Sequence, residues 1–151
     1  MGEVTDWEVI TTWRASSGLD ATANANREAL IDATHRIVAG DYDSYWALFD
    51  PEVRFHEAGC LPYGGTHEGL AATQTAYHRI GSVFSALRSE QHEILTAGDY
   101  CCLYTTITFT IAATGKTGVM PVAEIFHFRN GKIVDWRVNY FDAALFAEML
   151  R

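Results

Sequence analysis

The chain has 151 residues, 48% of them hydrophobic and 13% aromatic, enough for one well-filled core and too few for two comfortable domains. Its formal net charge of −8, from 11 Lys and Arg against 19 Asp and Glu, gives no electrostatic footprint for nucleic acid or an anionic membrane surface. No apolar run approaches the roughly 18 residues of a membrane span, and no apolar stretch follows a basic start as in a signal peptide, so a cytoplasmic domain is expected. Cys60 stands alone and Cys101 and Cys102 are neighbours, which makes neither a disulfide framework nor a CxxC ligand pair; buried reduced thiols are expected.

Residues 1–26 read as an irregular arm, with Trp7 and Trp13 as isolated apolar anchors, a Ser16-Ser17-Gly18 break and an Asn24/Asn26 pair suited to capping a helix. The folded domain is then expected over 27–151. From Arg27, Leu30, Ala33, Ile37 and Val38 repeat at helical spacing until Gly40. A second helix of about two turns follows Asp41 and ends at Asp50-Pro51. Val53 to Glu57 reads as a strand, and Cys60 to Gly65 as a turn-rich loop. Thr66 is a candidate cap for a third and longest helix, in which Leu70, Thr73, Tyr77, Ile80, Phe84 and Leu87 share one face.

Beyond this helix the period changes to two. Ser89 to Leu95, a Gly98-Asp99 turn and Tyr100 to Ala112 form one predicted hairpin. Val119 to Phe128, Arg129-Asn130-Gly131 and Lys132 to Tyr140 form another, and Asp142 caps a closing helix. Helices followed by a meander predict an α+β domain whose helices cover one face of a curved antiparallel sheet.

Alternation places Cys101, Leu103, Thr105, Ile107, Phe109 and Ile111 on the helix-facing side of the long strand. In the next strand Met120, Val122, Glu124, Phe126 and Phe128 share a face that is apolar except for one carboxylate. Removed from water, Glu124 acquires a raised pKa and can act as a neutral acid; on a solvated face it would instead pair with Arg137. Glu57 shares strand parity with Phe55 and ends its strand just before a Gly- and Pro-containing loop, where side chains commonly reach a pocket mouth. His56, His67 and His92 each precede an acidic residue, but no HExxH or strand HxH occurs, so no metal site is read from them. GxSxG is absent and Gly64-Gly65-Thr66 is too short to cradle phosphate, so no cofactor is implied.

Gly40-Asp41, Leu48-Phe49, Glu57, Gly65-Thr66, Gly69 and the run from Glu124 to Val134 together resemble the NTF2-like superfamily, and the loop Leu61 to Gly69 resembles its SnoaL-like group. The resemblance covers about 27–150 and implies a cone-shaped domain in which N-terminal helices and a curved sheet enclose an apolar pocket. On the ketosteroid isomerase pattern the general base falls on Glu57 and the protonated oxyanion-hole acid on Glu124, while the oxyanion-hole Tyr falls on Ala33, leaving Tyr63, Tyr77 or Tyr140 to substitute. On the limonene epoxide hydrolase pattern, Val138-Asn139 replaces a catalytic Asp, and the rest of the relay falls near Thr105 and Ile107. The resemblance also implies a homodimer through the outer sheet face, where His127, Thr106, Thr108 and Ile125 are expected.

These readings imply an acid–base enzyme of isomerase, cyclase or lyase type on a small hydrophobic, polyketide- or terpenoid-like cyclic substrate. Glu57 is the expected base, with Glu124 and Asn139 stabilising a developing oxyanion. Trp46, Phe55, Tyr63, Tyr77, Thr105, Ile107, Phe109, Val122 and Phe126 are expected to line the pocket. The alternatives are a non-catalytic ligand-binding module and a hydrolase with a different water-activating relay.

Overall fold

The computed structural model describes residues 20–151, without the side chains of Gln91 and His92; the Trp7/Trp13 arm lies outside the described residues. Helix α1 (Ala21–Val38) starts six residues before Arg27, where the apolar spacing begins. Its first turns, Ala-Thr-Ala-Asn-Ala-Asn, lack an amphipathic signal. The Asp20 carboxylate, which accepts from the Ala23 N–H at 2.7 Å, fixes the start instead of Asn24 or Asn26. Asn26 is buried inside the helix and its amide donates to the Gly98 carbonyl in the first hairpin turn.

The second helix is shorter than its apolar run suggests. Asp41 caps α2 (Tyr42–Trp46), and Phe49 already belongs to β1 (Phe49–Glu57). Pro51 is inside this strand, at a register irregularity between Phe49 and Arg54. A proline, having no N–H to donate, is tolerated at such a bulge. Thr66 caps no helix. It sits in a short strand β2 (Gly65–Glu68) antiparallel to β1, and α3 (Leu70–Val83) starts only after Gly69, whose φ of +86° suits glycine.

Phe84 and Leu87 belong to β3 (Phe84–Ala97) rather than to the end of α3, because pairing with the following strand starts at Phe84 opposite Ile111. Strands β4 (Tyr100–Ile111), β5 (Thr117–Arg129) and β6 (Lys132–Tyr140) complete the meander, and α4 (Ala143–Met149) is capped by Asp142. The β5–β6 turn uses Asn130 (φ 51°) and Gly131 (φ 73°), a pair of positive φ angles that matches strand twist.

The six strands form one sheet in the order β2-β1-β6-β5-β4-β3, antiparallel except for β1 beside β6. The sheet is curved and unclosed, with helices against its concave face. Two clusters of buried side chains lie on that face. One gathers Trp46, Phe49, Phe55, Phe126 and Trp136 beneath α1–α3; the other gathers Tyr63, Phe109, Ile111 and Phe146 beneath α4. Cys101 is buried, but Cys102 is half-buried and Cys60 is exposed, its thiol directed at the Ala143 carbonyl.

On the outer face Asp135 joins β1 to β6. His56 lies between Asp135 (Nε2 to Oδ2, 2.9 Å) and Thr66 (Nδ1 to Oγ1, 3.0 Å). Arg54 and Arg137 also meet the Asp135 carboxylate, at 3.1 and 2.8 Å. Burial alone would raise the Asp135 pKa, but hydrogen bonds from Arg137 and His56 and their charges hold it below the ordinary carboxylate range. Arg137 is therefore engaged with Asp135, not with Glu124. His127 stacks on Tyr100 with ring centroids 4.4 Å apart.

Candidate active site

A cavity of about 620 Å³ lies between the two clusters and is lined by members of both. Helix α1 contributes Leu30, Thr34 and Ile37, one face at spacings of four and three. Tyr45 comes from α2, Tyr77 and Ile80 from α3, and Phe84 and Leu87 from β3. The sheet supplies Phe55 and Glu57 from β1, Leu103 and Ile107 from β4, Val122, Glu124 and Phe126 from β5, and Trp136, Val138 and Tyr140 from β6.

The pleat explains this set. Glu57 follows Val53 and Phe55 on the inward face of β1, and Glu124 lies between Val122 and Phe126 on the inward face of β5. Two carboxyl groups thereby reach a wall that is otherwise almost entirely aliphatic and aromatic.

Glu57 is 7% exposed. Its Oε1 accepts a long hydrogen bond, 3.4 Å, from the Tyr140 hydroxyl, and its Oε2 is buried with no hydrogen-bond partner. Burial pushes its pKa up to about 8; the Tyr140 hydroxyl opposes this and the Glu124 charge adds to it. Glu124 keeps some accessible surface yet sits deep in the cavity wall, where burial pushes its pKa up to about 7. The Trp136 Nε1–H donates to Glu124 Oε2 at 2.9 Å and favours its ionised form. The Trp136 ring is itself fixed, stacked on Phe126 and packed on Phe55.

Two phenols stand behind Glu57. Tyr140 and Tyr63 both have pKa values driven upward by burial and by the neighbouring Glu57 charge, so both remain neutral donors. The Tyr63 hydroxyl is buried beside that of Tyr140, whose proximity partly offsets the upward push on Tyr63. Near Glu124, Tyr77 is pushed up to about 12 by burial first and by the Glu124 charge second, and Tyr45 well above its usual value by burial, then by Tyr77 and then by the Glu124 charge.

Of the residues singled out in the sequence, Glu57, Glu124, Phe55, Tyr77, Ile107, Val122 and Phe126 meet at the cavity. Trp46 packs instead against Tyr45, Phe49 and Tyr77, and Phe109 against Phe84 and Phe146. Tyr63 and Thr105 are buried without reaching the lining, and the Thr105 hydroxyl has no partner. Asn139 is exposed on the outer face, where its amide donates to the Ala123 carbonyl. Sequence reasoning missed Trp136, Tyr45 and the α1 lining residues; Tyr140 it named only as a substitute donor.

Among the described residues no three His, Cys, Asp or Glu side chains converge as metal ligands. His67 is committed to the Tyr63 carbonyl oxygen at 3.0 Å. No described helix is long and apolar enough to cross a membrane.

N-terminal helices over the concave face of a six-stranded, unclosed sheet, with a cavity between them, define an NTF2-like α+β domain. Within that class the chain belongs to the SnoaL-like domain family, whose profile matches residues 28–136. Solved structures of the same fold include Bal32a from a soil-derived mobile gene cassette, 23% identical over 86% of this chain and 99% of that one, with a TM-score of 0.77. A protein from Jannaschia sp. CCS1 described as a SnoaL-like polyketide cyclase is 15% identical over 87% of this chain and 95% of its own, with a TM-score of 0.73. An epoxide hydrolase of the LEH-like type from M. tuberculosis is 18% identical over 85% and 92%, with a TM-score of 0.64. No protein of curated function matches the sequence.

Proposed function

We propose that the chain is an acid–base enzyme of isomerase, cyclase or lyase type, acting on a small hydrophobic cyclic compound held in the cavity. The observation that carries this reading is the Glu57 carboxyl: buried, facing the cavity, with Oε2 free of any protein partner. A buried polar atom without a partner costs roughly 1–3 kcal/mol, and a substrate proton supplies the missing contact.

Glu57 is the base and Glu124 the acid. With pKa values raised to about 8 and about 7 by the same desolvation, and with mutual repulsion, the pair holds one proton between them near neutral pH. Glu57, with the higher value, holds that proton in the resting pair; the productive arrangement is the minor tautomer, with Glu57 ionised and the proton on Glu124. Glu57 removes a proton from a carbon next to a carbonyl, and Glu124 donates a hydrogen bond or its proton to the oxygen that becomes negative. Tyr140, a neutral phenol beside Glu57, is a second donor within the same wall.

The test is deuterium uptake from heavy water by a panel of cyclic enones and β-dicarbonyl compounds, read by mass spectrometry for wild type and Glu57→Gln. Exchange at the carbon next to the carbonyl, lost by about a hundredfold or more in the variant, is the expected result. Exchange that persists undiminished in Glu57→Gln would remove the base assignment.

A further inference from the structure

The charges around the cavity are one-sided. Glu57 and Glu124 both open onto it, whereas none of its described lining residues is Lys, Arg or His. Elsewhere the protein neutralises its buried carboxylate: Asp135 on the outer face meets Arg54, His56 and Arg137. The cavity carboxyls have no such partner, only neutral donors, Tyr140 on Glu57 and the Trp136 N–H on Glu124. The Oε2 atom of Glu57, in a residue more than nine-tenths buried, has no hydrogen-bond partner, and the nearby Ala58 N–H is the least of the influences on this carboxyl. An ionised carboxylate in such a setting is costly unless a cation reaches it.

The walls complete the pattern. Tyr45, Tyr77, Phe55, Phe126 and Trp136 line the same space, and the negative faces of aromatic rings attract cations. An aromatic enclosure with carboxylates and no positive side chain disfavours carboxylate or phosphate ligands and favours positive ones.

We infer that the ligand of this cavity is a hydrophobic compound carrying a protonated nitrogen, whose N–H group meets the ionised carboxylate of the Glu57–Glu124 pair. The inference rests on the reading of the cavity as the ligand site and narrows its substrate class. The positive charge compensates one ionised carboxylate while the other keeps its proton, so the single-proton state of the pair is the one the ligand selects. The groups facing Glu57 are Tyr140 from β6, Tyr63 from the β1–β2 loop and Glu124 from β5; those around Glu124 are Tyr45, Tyr77, Trp136, Tyr140 and Glu57, with the Cys102 thiol on the other face of the sheet. Of these only the two glutamates change charge between mildly acidic and mildly basic pH, so ammonium binding strengthens as the pH rises.

The test is isothermal calorimetry with three probes of one shape: naphthylmethylammonium, naphthylmethanol and naphthoate. At about pH 8 the ammonium binds roughly tenfold or more tightly than the alcohol, and naphthoate binds more weakly than either. The ammonium preference shrinks by a similar factor at about pH 6, and it shrinks in Glu57→Gln and in Glu124→Gln. Alcohol binding as tight as ammonium binding would overturn the inference and leave the cavity standing as the ligand site, as would an undiminished ammonium preference in both variants. Failure of both the ammonium and the alcohol to bind would overturn the inference and the reading of the cavity together.

Discussion

Replacing Glu57 by Gln removes a titrating group from the wall of the cavity while nearly keeping its shape. In the native state the Glu57 carboxyl is held at about 8 against its ordinary 4.5, so between those values the folded protein binds a proton that the unfolded chain has released. Stability then falls as the pH rises. The contribution is fully present below 4.5 and is lost by the time the pH has passed about 8, a difference of about 5 kcal/mol. Glutamine does not titrate, so Glu57→Gln and wild type have similar stability near pH 5, and the variant is more stable by several kcal/mol near pH 9. For a domain of this size that is a separation of about 10 °C or more in Tm. Thermal melts of both proteins from about pH 5 to about pH 9 measure it. A Tm difference that stays flat across this range, or a variant that becomes the weaker protein at high pH, would refute the argument that desolvation holds Glu57 neutral.

Other consequences are local. Trp136→Phe removes the N–H that favours ionised Glu124, so the Glu124 pKa rises above about 7 by roughly one pH unit, measurable by carboxyl-carbon NMR titration. Tyr140→Phe removes the hydrogen bond to Glu57 and moves its pKa upward from about 8, so proton abstraction requires a higher pH. Asp20→Ala deletes the α1 cap and costs about 1 kcal/mol, seen as a Tm lowered by a few degrees. Gly64→Ala places a Cβ against the Ala58 carbonyl oxygen and 2.9 Å from the Gly59 Cα, both backbone atoms that cannot step aside. A loss of roughly 1–3 kcal/mol in chemical denaturation is expected, with Tyr63 and Leu61 displaced on the same loop.

Much of the sheet was legible because period two is a strict signal. The inward faces of β4 and β5, including Glu124, follow from alternation alone, and the Asn130-Gly131 turn fixes where β5 ends. The same rule, applied through β6, places Trp136, Val138 and Tyr140 inward and Asn139 outward, so parity argues against Asn139 and for the two aromatic residues. Element ends were less legible. The start of α1 rests on one side-chain cap ahead of a polar segment, and the end of α3 on a strand pairing with Ile111, which local sequence does not encode.

Which inward residues fill the core and which line the cavity was not legible. Phe109 and Ile107 share one face of β4, yet Phe109 is packed against Phe84 and Phe146 while Ile107 reaches open space. That difference depends on how far the sheet curves away from the helices, a tertiary quantity with no sequence period. The unpartnered oxygen of Glu57 belongs to the same category, since only the packed structure shows which donors fail to arrive.

The central claim, that two cavity carboxyls share one proton at neutral pH, is most directly tested by NMR titration of side-chain carboxyl carbons in protein labelled at glutamate. Glu57→Gln and Glu124→Gln provide the assignments. The account predicts two glutamates titrating well above the rest, near 8 and 7, and a lower Glu57 value in Glu124→Gln once its neighbour's charge is gone. If every glutamate instead titrates near the ordinary 4.5, both carboxyls are solvated ions and the proposed acid–base pair does not exist.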